Sequence, residues 1–505
     1  MKPPLDVVIV GGGTAGWMAA AGLAGVLSPE QCRVRLVESD EIGTVGVGEA
    51  TLPHMKTFNQ MIGLSEPVMM RDTKATFKIG IEFVDWGFKG SSYIHPFGAH
   101  GRPAAGVPFQ HHWLRAQQNG RDFDIEEFSY AIVASRRNRF DFPGTDRAAI
   151  DATYDYAYHF DASLFARVLR GFAEARGVTR TEGKVVEASL HPERGDIASI
   201  RLESGEVVAG DFFIDCSGFR SLLLGQTLNN PFEDWTKWLP CDRALAVPSE
   251  RVGDLTPYTR STAREAGWQW RIPLQHRTGN GYVFSSDFIG EDEAADALMR
   301  NLGAPALDDP RLLKFKAGRR LKSWQGNCMA LGLASGFLEP LESTSIYLIQ
   351  VGIVNLLQLL PAKTVDPELA REFNRRMDVE YERIRDFLIL HYHATSRDDS
   401  ELWRYCRAMD VPESLKRKID QFVHRGHIEA YKDGLFTPPS WLSVYLGQGL
   451  RPQRYHPMAD MLPLDRLIGD LEAMRDEIGD RVEAMPAHAA FIDAYCPAIP
   501  TEAAS

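Results

Sequence analysis

Gly11, Gly13 and Gly16 form a GxGxxG run directly after the apolar segment Leu5–Val10. Glycines at this spacing suit a phosphate. Gly11 permits a tight turn, Gly13 lets backbone approach a pyrophosphate, and Gly16 lets a helix pack close to a strand. Thr14 and Ala15 open the helix that follows, where free N–H groups and the dipole favour an anion. Glu38 ends a second strand-like run, CRVRLVE, 22 residues after Gly16. A carboxylate there can accept ribose hydroxyls, and it disfavours a 2′-phosphate. Together these residues predict a site for the ADP half of a dinucleotide. The spacing does not choose between a flavin and a nicotinamide.

Two further residues could do acid, base or nucleophilic chemistry. Lys78 lies in KATFKIGIEFV, where Phe77, Ile79, Ile81 and Phe83 alternate with Lys78, Gly80 and Glu82. That pattern predicts a half-buried strand with a solvated lysine. A lysine there would be reactive only if desolvation lowered its pKa or fixed its N–H donors. Glu342 precedes Ser343, Thr344 and Ser345 at the start of a helical run, where an acid ordinarily serves the helix dipole.

The elements that must carry these residues are legible in outline. The chain has 505 residues, 44% of them apolar and 25% charged, which predicts a large core in two lobes. Net charge is −12 with no basic stripe, against a nucleic-acid partner. Six scattered cysteines form no CxxC pair and no metal-ligand spacing, so no metal is expected. No signal peptide and no apolar run of about 18 residues are seen, so no membrane span is expected and a cytoplasmic location is. Residues 5–54 read as a β-α-β unit ending in a mobile loop, 39–54, with Gly43, Gly46 and Gly48. Residues 160–178 read as an amphipathic helix capped by Asp161 or Ser163. Residues 211–218 read as a buried strand ending in a glycine turn, and 267–288 as an aromatic-rich strand pair. Residues 326–360 lead through glycines into a helix, and 367–394 read as a long surface helix.

The segment Gly267–Pro273, GWxWxIP, resembles the signature of flavin-dependent halogenases of the tryptophan-halogenase family. GGGTAGW at 11–17, GVGEAT at 46–51, ATFK at 75–78 and PLEST at 340–344 occur in the same order. The resemblance spans roughly residues 5–395. It implies an α/β fold: a Rossmann-type FAD-binding domain of the flavoprotein monooxygenase kind, with a mixed β-sheet insertion and a mostly helical C-terminal part. The implied division is a module at 1–395, with a substrate-side sheet at about 74–288 and a return to the flavin at 326–360. A helical region at 396–505 follows. Gly48, Glu49 and Ala50 join the cofactor residues.

The resemblance further implies halogenation of an electron-rich aromatic substrate, with FAD supplied as FADH2 by diffusion from a separate reductase, O2, and bromide or chloride. Hypohalous acid formed from a flavin hydroperoxide would be delivered to Lys78. Glu342 would orient it and take the ring proton. Backbone N–H groups of Thr344 and Ser345 would hold halide. Trp268, Trp270, Pro273 and Ser343 would wall the site. The second halide position is glycine in better-known members and Ser345 here. The paired tyrosines and amino-acid clamp of the free-tryptophan enzymes are not found near SWLSVYLGQG (440–449), which favours an open pocket for an indole-type arene. Trp403, Tyr392 and Phe436 are candidates to line it. The rival readings are a flavin hydroxylase and a non-catalytic FAD-binding redox regulator. A homodimer is compatible with everything above.

Overall fold

The apolar run Leu5–Val10 (β1) lies at the centre of a six-stranded sheet because it is buried on both faces. Helix Thr14–Val26 (α1) follows, and Cys32–Glu38 (β2) pairs parallel to β1. The strand order is Trp324–Gln325, Cys328–Ala330, Phe212–Asp215, β1, β2, Thr179–Glu182, all parallel except the first edge pair. This is the α/β dinucleotide fold expected of the glycine motif. The computed structural model describes residues 3–42, 48–431 and 434–499. Gly43 and Gly46 of the expected mobile loop lie outside these residues. Gly48 is not in a loop: Gly48–Ala50 (β3) pairs antiparallel with Ala157–Asp161. Asp161, at the end of that strand, caps the next helix by accepting from the N–H groups of Ser163 and Leu164.

The expected single strand over 74–84 is two strands in two sheets. Thr76–Lys78 (β4) pairs with Ala157–Asp161, and Gly80–Val84 (β5) joins a seven-stranded sheet beside Thr259–Arg264 and Ser92–Pro96. The chain changes sheets at Ile79, whose N–H donates to Pro257 O at 2.8 Å and whose carbonyl accepts from Phe97 N at 2.9 Å. A Cβ on Gly80 would lie 2.9 Å from His95 O, so only glycine fits the corner. Layers cover both faces of this segment, so Lys78 is fully buried rather than solvated.

The seven-stranded sheet also holds Gly267–Pro273 (β6) and Thr278–Phe284 (β7), paired antiparallel as expected. Helix Thr344–Gln358 (α2) begins after the 3-10 turn Pro340–Glu342, and Pro367–His393 (α3) follows. Helix α3 is a surface helix only in its first half. From Asp386 to Tyr392 every residue is buried, because the C-terminal helices cover it; Phe387 stacks on Phe436 at 3.9 Å and meets Trp441 edge-on at 5.0 Å. Beyond 395 the chain is helical, ending in His488–Tyr495 (α4).

Helix α4 reaches back to the Lys78 strand. His488 Nε2 accepts from Phe77 N at 3.2 Å, and its Nδ1 donates to Leu255 O at 2.9 Å. Desolvation holds this imidazole down at about 4, so it stays neutral and keeps its acceptor at neutral pH. His488→Ala would strand a buried N–H beside Lys78. The expected cost is about 1–3 kcal/mol, read as a lowered denaturation midpoint. An unchanged midpoint would show that water replaces the imidazole.

Candidate active site

A cavity of about 620 Å³ opens over the glycine turn. The three motif glycines do different work. Gly11 has φ +111°, and a Cβ there would lie 2.2 Å from Cys216 O. A Cβ on Gly16 would lie 1.8 Å from Gly11 O, so this glycine serves helix–strand packing. A Cβ on Gly13 would meet nothing within 4 Å and would project into open space at the cavity, where a pyrophosphate would lie against bare backbone. Thr14 and Ala15 also line the cavity. Glu38 lines its edge, one oxygen held by Arg180 Nε at 2.6 Å and the other lying over Gly12. Gly48, Glu49 and Ala50 line the facing side, and burial pushes the Glu49 carboxyl up to about 7. Dinucleotide dimensions, a backbone cradle and a ribose-level acid are all present. These residues therefore fit FAD.

Two substitutions separate fold from cofactor. Gly11→Ala is strained and clashes, so it should lower stability itself. Gly13→Val should fold normally yet weaken FAD binding at least about tenfold by filling the pyrophosphate space. Flavin-fluorescence titration and thermal melts of both variants would show this split.

Behind Ser343, a lining residue, stands Lys78. Its Nζ donates to Ser343 Oγ at 2.9 Å and to Thr51 O at 3.1 Å, and lies 4.9 Å over the Phe97 ring. Desolvation, partly offset by the Glu342 charge, brings its pKa down from 10.5 to about 7. Ser343 has φ +59°, left-handed for a non-glycine, as it turns the 3-10 loop into α2. Glu342 is fully buried beside it. His95 Nδ1 donates to both carboxylate oxygens, at 3.0 and 2.9 Å, and His391 Nε2 lies 2.9 Å from Oε1. Burial alone would raise the Glu342 pKa, but the two imidazoles outweigh it and bring it down to about 2. Glu342 is thus a carboxylate at any working pH. Thr344 and Ser345 begin α2, where N–H groups lack intrahelical partners. Ser345 faces the cavity, and the Thr344 hydroxyl is buried without a partner.

A dinucleotide cavity lined by two tryptophans and a serine, with a buried lysine bonded to that serine and a buried carboxylate beside it in sequence, can be matched against known proteins. Residues 6–464 match the tryptophan halogenase family. The chain belongs to this family. It is 36% identical to tryptophan 6-halogenase SttH of Streptomyces toxytricini, over 96% of this chain and 97% of that protein. Its fold superposes on a flavin-dependent halogenase from Xanthomonas campestris with TM-score 0.95 and 46% identity, over 99% and 100% of the two chains. The flavin-dependent halogenase BrvH of Brevundimonas gives 0.94 and 44%, over 98% and 100%. The protein is therefore a flavin-dependent halogenase, an enzyme class that implies FADH2 and halide.

In this halogenase Trp268, Trp270 and Ile272 lie on one face of β6 and line the cavity. Gly281 gives Trp270 its room: a Cβ there would lie 2.0 Å from the indole Cζ2. Pro273 lies beyond the lining, its carbonyl accepting from Thr76 Oγ1 at 2.7 Å and so tying β6 to the Lys78 strand. Of the three aromatic candidates for the arene pocket, Phe436 lies beside the His95 that holds Glu342, the two rings 6.2 Å apart. Trp403 and Tyr392 do not: they stack on each other at 5.8 Å and pack against Trp86, behind Trp268. The sequence reading missed His95 and His391, which hold Glu342. Among 14 histidines nothing in their spacing marks these two. Cys216–Arg220, the glycine turn that follows the strand read over 211–218, also line the cavity.

Proposed function

We propose that this enzyme halogenates an indole-type arene, with Lys78 and Glu342 as its catalytic residues. The reading rests on one observation: a desolvated amine, held by Ser343 of the cavity lining, and an ionised carboxylate lie buried within electrostatic reach of each other. Reduced FAD, with O2 and halide, supplies an oxidised halogen when bound; a separate reductase delivers the reduced flavin by diffusion. The first N–H groups of α2, at Thr344 and Ser345, hold the halide on the cavity side. Trp268, Trp270 and Ser343 keep the flavin from the arene. Neutral Lys78 spends both N–H groups on Ser343 and Thr51 and keeps its lone pair for the halogen. Glu342 takes the proton from the halogenated ring; that carbon is so acidic that a weak base suffices. Residues up to 395 carry all these groups, and the described residues beyond 395 cover the arene side.

Phe97, Phe387, Phe436 and Trp441 give that side an apolar character. The buried ions nearest Trp441, Lys418 and Asp386, are paired with each other at 3.1 Å. A free amino acid therefore gains nothing from them. The redox-regulator reading has no support, because all six cysteines are buried free thiols and burial pushes their pKa values up.

The test is mass spectrometry of products from indole and tryptophan, with FAD, a reductase, NADH, air, and bromide or chloride. Halide-dependent mass gain on indole, exceeding that on tryptophan, is expected. Preferred tryptophan turnover would overturn the substrate assignment. Oxygen insertion without halogen would favour the hydroxylase.

A further inference from the structure

Glu339 is buried three residues before Glu342 and has no part in the chemistry above. Its Oε2 accepts from Trp268 Nε1 at 3.0 Å and from the Tyr392 hydroxyl at 2.9 Å. Its Oε1 is buried without a hydrogen-bond partner. One carboxyl thus joins three elements: the tryptophan strand β6, the loop that carries Glu342, and the last turn of α3. The same turn supplies His391 to Glu342. Adjacent residues of α3 therefore hold both acids of the loop, Tyr392 taking Glu339 and His391 taking Glu342.

The surroundings of Glu339 supply no cation. The titratable groups around it are the Cys241 and Cys406 thiols and Tyr392. Burial accordingly pushes its carboxyl up to about 7. A polar group placed so costs stability that an apolar one of similar volume would not. What it contributes is direction: an acceptor that fixes the N–H edge of the Trp268 indole. Trp268 lines the FAD cavity, and Glu339 stands behind it.

We propose that Glu339 is a positioning residue that locks the Trp268 indole in the wall of the FAD cavity, so that oxidised halogen is passed to the arene rather than escaping. This rests on the function proposed above. The lock itself is testable without turnover.

Glu339→Gln keeps an acceptor oxygen; Glu339→Leu keeps the volume and removes it. In ¹⁵N-tryptophan-labelled protein, with the resonance assigned by Trp268→Phe, the Trp268 indole N–H should exchange with solvent at least tenfold faster in E339L than in wild type or E339Q. In turnover with indole, bromide and a scavenger of free hypobromous acid, the ratio of brominated indole to trapped oxidant should fall at least fivefold in E339L. E339Q should restore it. Unchanged exchange and an unchanged ratio in E339L would overturn the proposal, as would an equal loss of both products with exchange unaltered. If E339L does not fold, Tyr392→Phe removes the α3 arm alone. Trp268 exchange should then rise and the ratio fall together, and a ratio that falls while exchange stays slow, or a ratio that does not change, overturns the proposal. If the wild type brominates nothing, the proposed function fails, while the exchange measurement still reports on the lock.

Discussion

Lys78→Met should abolish halogenation, by at least about 10³-fold, and should make the protein more stable near neutral pH. The loss follows from removing the group that accepts halogen at the arene; positioned acid–base or nucleophilic groups are typically worth about 10²–10⁴. The gain follows from burial. The folded-state pKa of Lys78 is depressed from 10.5 to about 7, chiefly by desolvation. Between those pH values the unfolded chain binds the extra proton, so stability rises with pH across that window. Below about 7 the folded protein carries the full penalty of a buried ammonium, roughly 5 kcal/mol at about 1.4 kcal/mol per pH unit. Methionine removes that penalty. Melting midpoints from about pH 6 to 10 should rise in the wild type and run flat and higher in K78M. A variant that lost activity by losing stability would show the opposite, and the lysine would then be structural. If the lone pair is the working group, wild-type turnover should also climb as pH passes about 7. A fall over that range would assign the work to the ammonium as a hydrogen-bond donor.

The burial behind this prediction could not be read from the sequence, although Lys78 could be found there. Alternation with period two reports how side chains divide between the faces of a strand. It cannot say that both faces are covered, nor that the strand breaks at Ile79 and enters two sheets. The glycine motif was legible because its constraints are local: a positive φ, a backbone approach, a helix start. The halogenase segments were legible for a related reason, since tryptophans at fixed spacing are rare. What was hidden is whatever depends on distant partners. His95 reaches Glu342 across 247 residues, and His391 reaches it from α3. Glu339 meets Trp268 and Tyr392 across 71 and 53 residues. The second half of α3 kept its apolar spacing but lost its solvent face to Phe436 and Trp441, which no local pattern announces.

Glu342→Gln should cost at least about 10²-fold in turnover while leaving FAD binding intact, because the amide keeps the carboxylate's shape but neither its charge nor its basicity. The carboxylate is held between His95 and His391, which bring its pKa down to about 2 against the upward push of burial. A depressed acid contributes stability that is complete above its unfolded value, about 4.5, and lost as pH falls through about 2. At about 1.4 kcal/mol per pH unit this is roughly 3 kcal/mol. The wild type should therefore lose stability faster than E342Q between about pH 4.5 and 2, and the difference between their acid-unfolding curves isolates this one carboxyl. At neutral pH the order of effects reverses. The glutamine amide cannot accept from His95 with both its polar atoms, so E342Q should be less stable there. Glu342→Asp keeps the charge but withdraws it by a methylene. It should recover the neutral-pH stability in part and the turnover much less, because a proton on the arene must be met at hydrogen-bond distance. Equal recovery of both would mean that Glu342 serves the two histidines and that the base lies elsewhere.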